Sequence, residues 1–188
     1  MNDKETQLIL NCQNGDLNSF GPLYDQYIKK IYDFIYFKTH HKQTAEGLTS
    51  TTFIKALKGI GSFKSDGGSF QAWVYRIARN TVIDYYRTKK ADSSLEDVWD
   101  LSTNDDIERD INTATKLEKV QQYLKKLPSE QRDIILLRLW SGLSYQEIAG
   151  IVGKTESNCK VILSRTLKKL KEDKMFEAVL LFILTIVS

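Results

Sequence analysis

Cationic side chains gather at two places in this chain, and they are the residues best suited to chemistry with a polyanion. Between Gly61 and Lys90 stand Lys64, Arg76, Arg79, Arg87, Lys89 and Lys90 against Asp66 and Asp84, a local charge of +4. Between Lys154 and Lys174 stand Lys154, Lys160, Arg165, Lys168, Lys169, Lys171 and Lys174 against Glu156, Glu172 and Asp173, again +4. The intervening segment, Ala91–Thr115, carries eight acidic residues and one basic, Arg109. Over 188 residues the net charge is only +3, so its distribution says more than its total. Two basic blocks separated by an acidic one suggest two anion-binding modules on a tether. Solvated helix faces would look the same by charge alone.

Other chemistries find little support. His40 and His41 are adjacent but have no cysteine or carboxylate set at metal-ligand spacing. There is no glycine-rich phosphate loop and no nucleophile elbow. Asp25, Asp33 and Asp84 read as solvated helix positions rather than a carboxylate cluster. No catalytic residue, metal, cofactor or small-molecule substrate is therefore expected. Cys12 and Cys159 lie far apart with no pairing pattern, which fits a reduced cytoplasmic setting. The first residues, MNDKETQLIL, lack the basic start and long apolar core of a signal peptide.

The elements that must position these cations read as all-α, in two small helical domains. Phe20, Leu23, Tyr24, Tyr27, Ile28, Ile31, Tyr32 and Ile35 recur at helical spacing. A second stripe, Leu48, Phe53, Ile54 and Leu57, ends near Gly59 and Gly61. Gly59–Ser69 is a glycine- and serine-rich loop. A third helix is expected from about Phe70 to Arg87, with Phe70, Trp73, Val74, Ile77, Ala78 and Val82 inward. Its outer face then carries Tyr75, Arg76, Arg79, Asn80, Asp84 and Arg87. Residues 91–115 lack a sustained apolar period and form a linker in which Trp99 needs somewhere to pack. Leu117, Val120, Leu124 and Leu127 form a stripe that stops at Pro128, and Ser129–Trp140 reads as another helix.

The segment LSYQEIAGIVGKTESNCKVILSRTLKKL, Leu143–Leu170, carries the sharpest local signal. Ser144 and Glu147 form a capping box. Ile148, Ala149 and Val152 give the helix an apolar face, and Gly153 permits a tight turn. Thr155 can cap the next helix, with Glu156 well placed in its first turn. Val161, Ile162, Leu163, Leu167 and Leu170 include its inward positions. Two short helices, a glycine-containing turn and a basic second helix make a helix-turn-helix, whose second helix can lie in the major groove. Thr155, Glu156, Ser157, Asn158, Lys160, Ser164 and Arg165 are the candidates for the groove, with Lys168, Lys169 and Lys171 further along for phosphates.

At these residues the chain resembles a known family. The segment PSEQRDIILLRLWSGLSYQEIAGIVGKTESNCKVILSRTLKKLKE is similar to the fourth domain of the RNA polymerase sigma-70 family, which binds the minus-thirty-five promoter element. GSFQAWVYRIARNTVIDYYRTKK, Gly68–Lys90, resembles the second-domain helix that recognises the minus-ten element. FGPLYDQYIKKIYDFI, Phe20–Ile35, resembles the core helix before it, and TTFIKALKGI, Thr51–Ile60, the helix that grips the polymerase clamp. Order and spacing match over nearly residues 5–172, as in the extracytoplasmic-function (ECF) group. The resemblance implies residues 1–90 for clamp binding and minus-ten melting, 91–115 as linker, 116–174 as the minus-thirty-five reader and 175–188 as an apolar tail.

It also implies roles. Phe63, Lys64 and Ser65 lie in the loop where the family captures an extruded base, and Tyr75, Arg76, Arg79, Asn80, Asp84 and Arg87 would act on the same DNA. Glu46, Leu48, Thr52, Phe53 and Lys55 would meet core RNA polymerase. The expected partners are that polymerase, promoter DNA and, by analogy, an anti-sigma factor. Where the family usually has an acidic run, this chain has Gln43-Thr44-Ala45-Glu46-Gly47-Leu48, which moves the expected clamp contact toward Phe53 and Lys55. Ile162 sits where the family often has arginine. The tail FEAVLLFILTIV, Phe176–Val187, falls short of the roughly 20 apolar residues that span a bilayer. It leaves three destinations open: the second domain, a partner, or a membrane surface. The rival function is a stand-alone helix-turn-helix regulator, which explains the second half and leaves Phe63–Arg87 idle.

Overall fold

Helices make up the computed structural model throughout residues 3–92 and 124–172, the residues it describes. They fall into two compact units, one holding 3–92 and the other 124–172. The last helix of the first unit, Phe70–Asp92, takes in the first two residues assigned to the linker, Ala91 and Asp92; the rest of the linker, Trp99 and the apolar tail lie outside the described residues.

In the first unit the elements are α1 (Asp3–Gln13), α2 (Phe20–Thr39), α3 (Lys42–Gly59) and α4 (Phe70–Asp92). Leu23, Ile31, Phe34 and Ile35 of α2 are fully buried, facing Phe70, Val74, Tyr75 and Ala78 of α4. The Phe34 and Tyr75 rings meet edge to face at 5.2 Å, an orientation that the ring quadrupoles favour. Helix α3 buries a narrower face of Ala45, Thr49, Thr52, Phe53 and Ala56. Its buried threonines satisfy their own hydroxyls, Thr49 donating to the Ala45 carbonyl and Thr52 to that of Leu48, both at 2.7 Å. A polar side chain that bonds back to its own helix can be buried without an orphaned donor.

The two histidines are junction residues. His40 ends α2 in the left-handed conformation (φ 53°), and the His41 ring nitrogen Nδ1 accepts the Thr44 backbone N–H at 3.2 Å, capping α3. Helix α1 was not marked by any apolar stripe. It inserts Ile9 and Cys12, and it carries Glu5 to 7% exposure beneath Tyr27, whose hydroxyl donates to the Glu5 carboxylate.

The second unit contains α5 (Ser129–Ile135), α6 (Tyr145–Val152) and α7 (Glu156–Glu172). The expected single helix Ser129–Trp140 widens after Ile135 into a π-helical turn over Leu136–Trp140, where the Ser141 N–H reaches back to the Leu136 carbonyl at 3.0 Å. Arg132 is buried and donates to the carbonyls of Leu124, Lys125 and Leu127 at 2.8, 3.0 and 3.2 Å. Those carbonyls end a helical turn that Pro128 does not continue, and the guanidinium supplies donors to them.

Candidate nucleic-acid interface

The helix-turn-helix is built as its residue types dictate. The Ser144 hydroxyl accepts the Glu147 N–H at 3.2 Å while the Glu147 carboxylate accepts the Ser144 N–H at 2.9 Å, completing the capping box. Gly153 closes α6 at φ 72°, and its N–H and that of Lys154 both return to the Ala149 carbonyl. Thr155 then caps α7 by accepting the Asn158 N–H at 3.2 Å. The turn is tied to α5 by an ion pair between Lys154 and Glu130 at 3.2 Å.

Helix α7 buries Cys159, Leu163, Thr166 and Leu170. Thr155, Glu156, Ser157, Asn158, Lys160, Ser164, Arg165 and Lys168 are all exposed. Val161, one of the apolar residues among which the inward positions were sought, is 44% exposed and stands among the polar candidates. A β-branched apolar side chain there can meet a thymine methyl in the major groove. Tyr145, at the start of α6, lies between two cations, with Arg138 at 4.7 Å and Lys160 at 5.4 Å from its ring centre. The Arg138 guanidinium also donates to the Leu143 carbonyl at 2.7 Å. The ring thus attracts Lys160 to a place near the start of α6. Its signal in the sequence was only a tyrosine after a cap.

The first unit corrects more. Tyr75, expected on the outer face of α4, is 0% exposed and belongs to the core. Phe63 is also turned inward, against Phe70 at 5.5 Å and Trp73 at 5.3 Å, and presents no open face for a base. Arg79 and Arg76 are half-buried, while Asn80 and Arg87 are exposed. The buried Nε of Arg76 has no hydrogen-bond partner among the described residues. Asp84 is paired, with Arg87 at 3.0 Å and Lys55 at 3.7 Å. Lys64 and Ser65 are exposed at the loop.

The α3 residues expected to meet polymerase are divided between core and surface. Thr52 and Phe53 are buried, and Phe53 packs edge to face on Tyr24 at 4.8 Å. Lys55 reaches across to α4, donating to the Thr81 hydroxyl at 3.2 Å. Glu46 is exposed and Leu48 half-buried. Ile54, assigned to the apolar stripe, is 53% exposed on the outer face.

A cleft of about 400 Å³ opens beside the loop. Thr6, Ile9, Leu10 and Gln13 of α1 form one wall, and Phe63, Lys64, Ser65 and Asp66 the other. The two free thiols lie elsewhere in the cores, Cys12 and Cys159, both pushed above the ordinary thiol pKa chiefly by burial. No described helix is long and apolar enough to cross a membrane, and no described cluster of histidine, cysteine and carboxylate residues could hold a metal.

Known proteins resemble this chain in sequence and in fold. The family model for sigma-70 region 2 matches residues 23–91, and that for sigma-70 region 4 matches residues 117–170. The chain is 34% identical over 171 residues to the ECF RNA polymerase sigma factor BldN of Streptomyces coelicolor, covering 87% of this chain and 63% of that protein. It is also 34% identical over 160 residues to the RNA polymerase sigma factor YlaC of Bacillus subtilis, covering 83% of this chain and 92% of that one. Among solved structures, CnrH in complex with the cytosolic domain of CnrY superposes with a TM-score of 0.69 at 22% identity, covering 90% of this chain and 96% of that one. The sigma factor RpoE of Bartonella quintana, in complex with the anti-sigma factor NepR, superposes with a TM-score of 0.66 at 23% identity, covering 81% and 94%.

Proposed function

This chain belongs to the sigma-70 family of RNA polymerase sigma factors, in its ECF group, and from that premise we propose how its two units divide the work. Residues 1–90 bind the polymerase clamp and open the minus-ten element. Residues 91–115 tether them to 116–174, which read the minus-thirty-five element. The protein directs core polymerase to promoters and has no catalytic step of its own. Its working place is the cytoplasm, where polymerase and promoter are.

The observation that carries the reading is the surface of α7. Every polar candidate from Thr155 to Lys168 faces solvent on a helix held by a capping box, a left-handed glycine and a hydroxyl cap. Fixed backbone entry at the helix N-terminus is what a groove-reading helix needs. In the first unit, Lys64, Ser65, Arg76, Arg79, Asn80 and Arg87 supply the cationic and polar groups that hold an opened strand. An extruded base enters the cleft beside the loop, with its edges read by the polar groups there. Phe63 and Tyr75 support that surface from beneath. On α3, Glu46, Leu48 and the exposed Ile54 form the clamp contact, with Lys55 fixed against α4. An anti-sigma factor would silence the protein by covering these faces, as the family resemblance implies.

Run-off transcription with core polymerase and a promoter library tests the proposal. Stimulated, sequence-selective initiation is expected only when both proteins are present. Tight specific binding by the free protein, with no stimulation of transcription, would reverse it in favour of a stand-alone regulator.

A further inference from the structure

The loop that faces the cleft is held from the opposite wall by a side chain of α1. Gln13, in the last turn of α1, donates from its amide nitrogen to the carbonyls of Ile60 at 3.1 Å and Phe63 at 2.8 Å. We propose that Gln13 is a positioning residue for base discrimination: it sets the spacing between α1 and the Phe63–Asp66 loop, and so the width of the pocket that receives the extruded base. This inference rests on the reading of that loop as the base-capturing element.

Three observations support it. A side-chain amide has two N–H donors, so one glutamine can satisfy two loop carbonyls; a carboxylate of the same shape can satisfy neither. The segment between those two carbonyls contains Gly61, and glycine backbone is entropically costly to hold in one conformation. Gln13 is itself anchored, because Cys12 beside it and Ile9 one turn back are buried, and Glu5 at the other end of α1 is bonded to Tyr27 of α2. The route from the α2 core through α1 to the loop is thus a chain of fixed contacts. Gln13 also lines the cleft.

The test uses the full chain with core polymerase on duplex promoters that differ only in single non-template bases of the minus-ten element. Gln13→Glu, Gln13→Met and the exposed-loop variant Lys64→Ala/Ser65→Ala are compared with wild type by initiation rate. Loss of two neutral hydrogen bonds predicts a loss of base discrimination of about ten- to thirtyfold for Gln13→Met. Gln13→Glu should lose more, because its charge faces two carbonyl oxygens. Polymerase association and the response to minus-thirty-five substitutions should stay as in wild type for both. A packing role alone would order the variants the other way, since glutamate keeps the shape and methionine does not. Wild-type discrimination in both Gln13 variants, with discrimination lost in the loop variant, overturns the role of Gln13 and leaves the loop reading standing. Unchanged discrimination in all three overturns both. Loss of polymerase association in Gln13→Met as well as Gln13→Glu assigns the side chain to stability and overturns the proposal.

Discussion

A phenol bonded to a buried carboxylate joins the first helix to the second, and its energetics can be read from pH. Burial, and then the hydrogen bond to Glu5, push the Tyr27 phenol well above its ordinary value. The folded state therefore favours the protonated ring, and that stability is full below the ordinary tyrosine pKa of about 10 and lost as pH climbs past it. Tyr27→Phe leaves the Glu5 carboxylate with the weaker Gln26 contact at 3.4 Å, so urea unfolding at neutral pH should show a loss of about 1–3 kcal/mol. The variant should also lose part of the wild type's alkaline sensitivity; unchanged midpoints at both pH values would contradict the pairing. A second residue-scale expectation concerns Lys160. If it touches a base edge, Lys160→Ala weakens the preferred minus-thirty-five sequence by about 1–3 kcal/mol and relaxes one position. A phosphate contact instead weakens all sequences and lowers the salt slope by about one. Tyr145→Leu should reproduce part of either effect, since the ring holds the ammonium in place. Tyr75 falls off the apolar stripe by spacing and was expected outward, but its ring packs on Phe34, while the hydroxyl reaches the Lys30 carbonyl at 3.5 Å.

At the scale of elements, legibility followed the local chemistry. The start of α6, its glycine stop and the start of α7 could all be read in the sequence, because caps and left-handed turns depend on residues within one turn of each other. A Cβ at Gly153 would meet nothing within 4 Å, so the only obstacle to substitution is the backbone angle. Gly153→Ala should therefore cost about 1–2 kcal/mol, the penalty for a left-handed alanine, and Gly153→Asn less. Thermal unfolding measures this, and an alanine variant as stable as wild type would mean that the turn relaxes to another geometry. Helices α1 and α3 were harder to read for the opposite reason. The buried face of α3 is mostly alanine and threonine at positions 45, 49, 52 and 56, so hydrophobicity pointed instead to Ile54, which faces out. Helix α1 buries a carboxylate that only a partner 22 residues away explains. The cleft could not be foreseen at all, since one of its walls is α1.

For the molecule as a whole, the question is what each unit adds once polymerase holds the chain at a promoter. On the proposed division of work each unit alone should offer few base contacts, and linkage raises the effective concentration of the second contact once the first is made. Opening the duplex is the part proposed for the first unit. The burial of Phe63 changes how this can be tested. Phe63→Ala would remove a ring packed against Phe70 and Trp73, at a cost of about 3–5 kcal/mol for a large core deletion, and would confound melting with folding. Asn80 and Lys64 are exposed, so replacing them leaves the core intact. Unstacking a base costs a few kcal/mol, and each protein contact that offsets it shifts the balance between closed and open promoter. Asn80→Ala and Lys64→Ala should thus bind polymerase as wild type does, yet give weaker permanganate reactivity at minus-ten thymines. A promoter premelted across that element no longer requires the unstacking step, and both variants should recover most of their activity on it. Equal defects on duplex and premelted templates would move these residues from strand opening to an earlier step. Wild-type reactivity on the duplex would remove them from the DNA surface altogether.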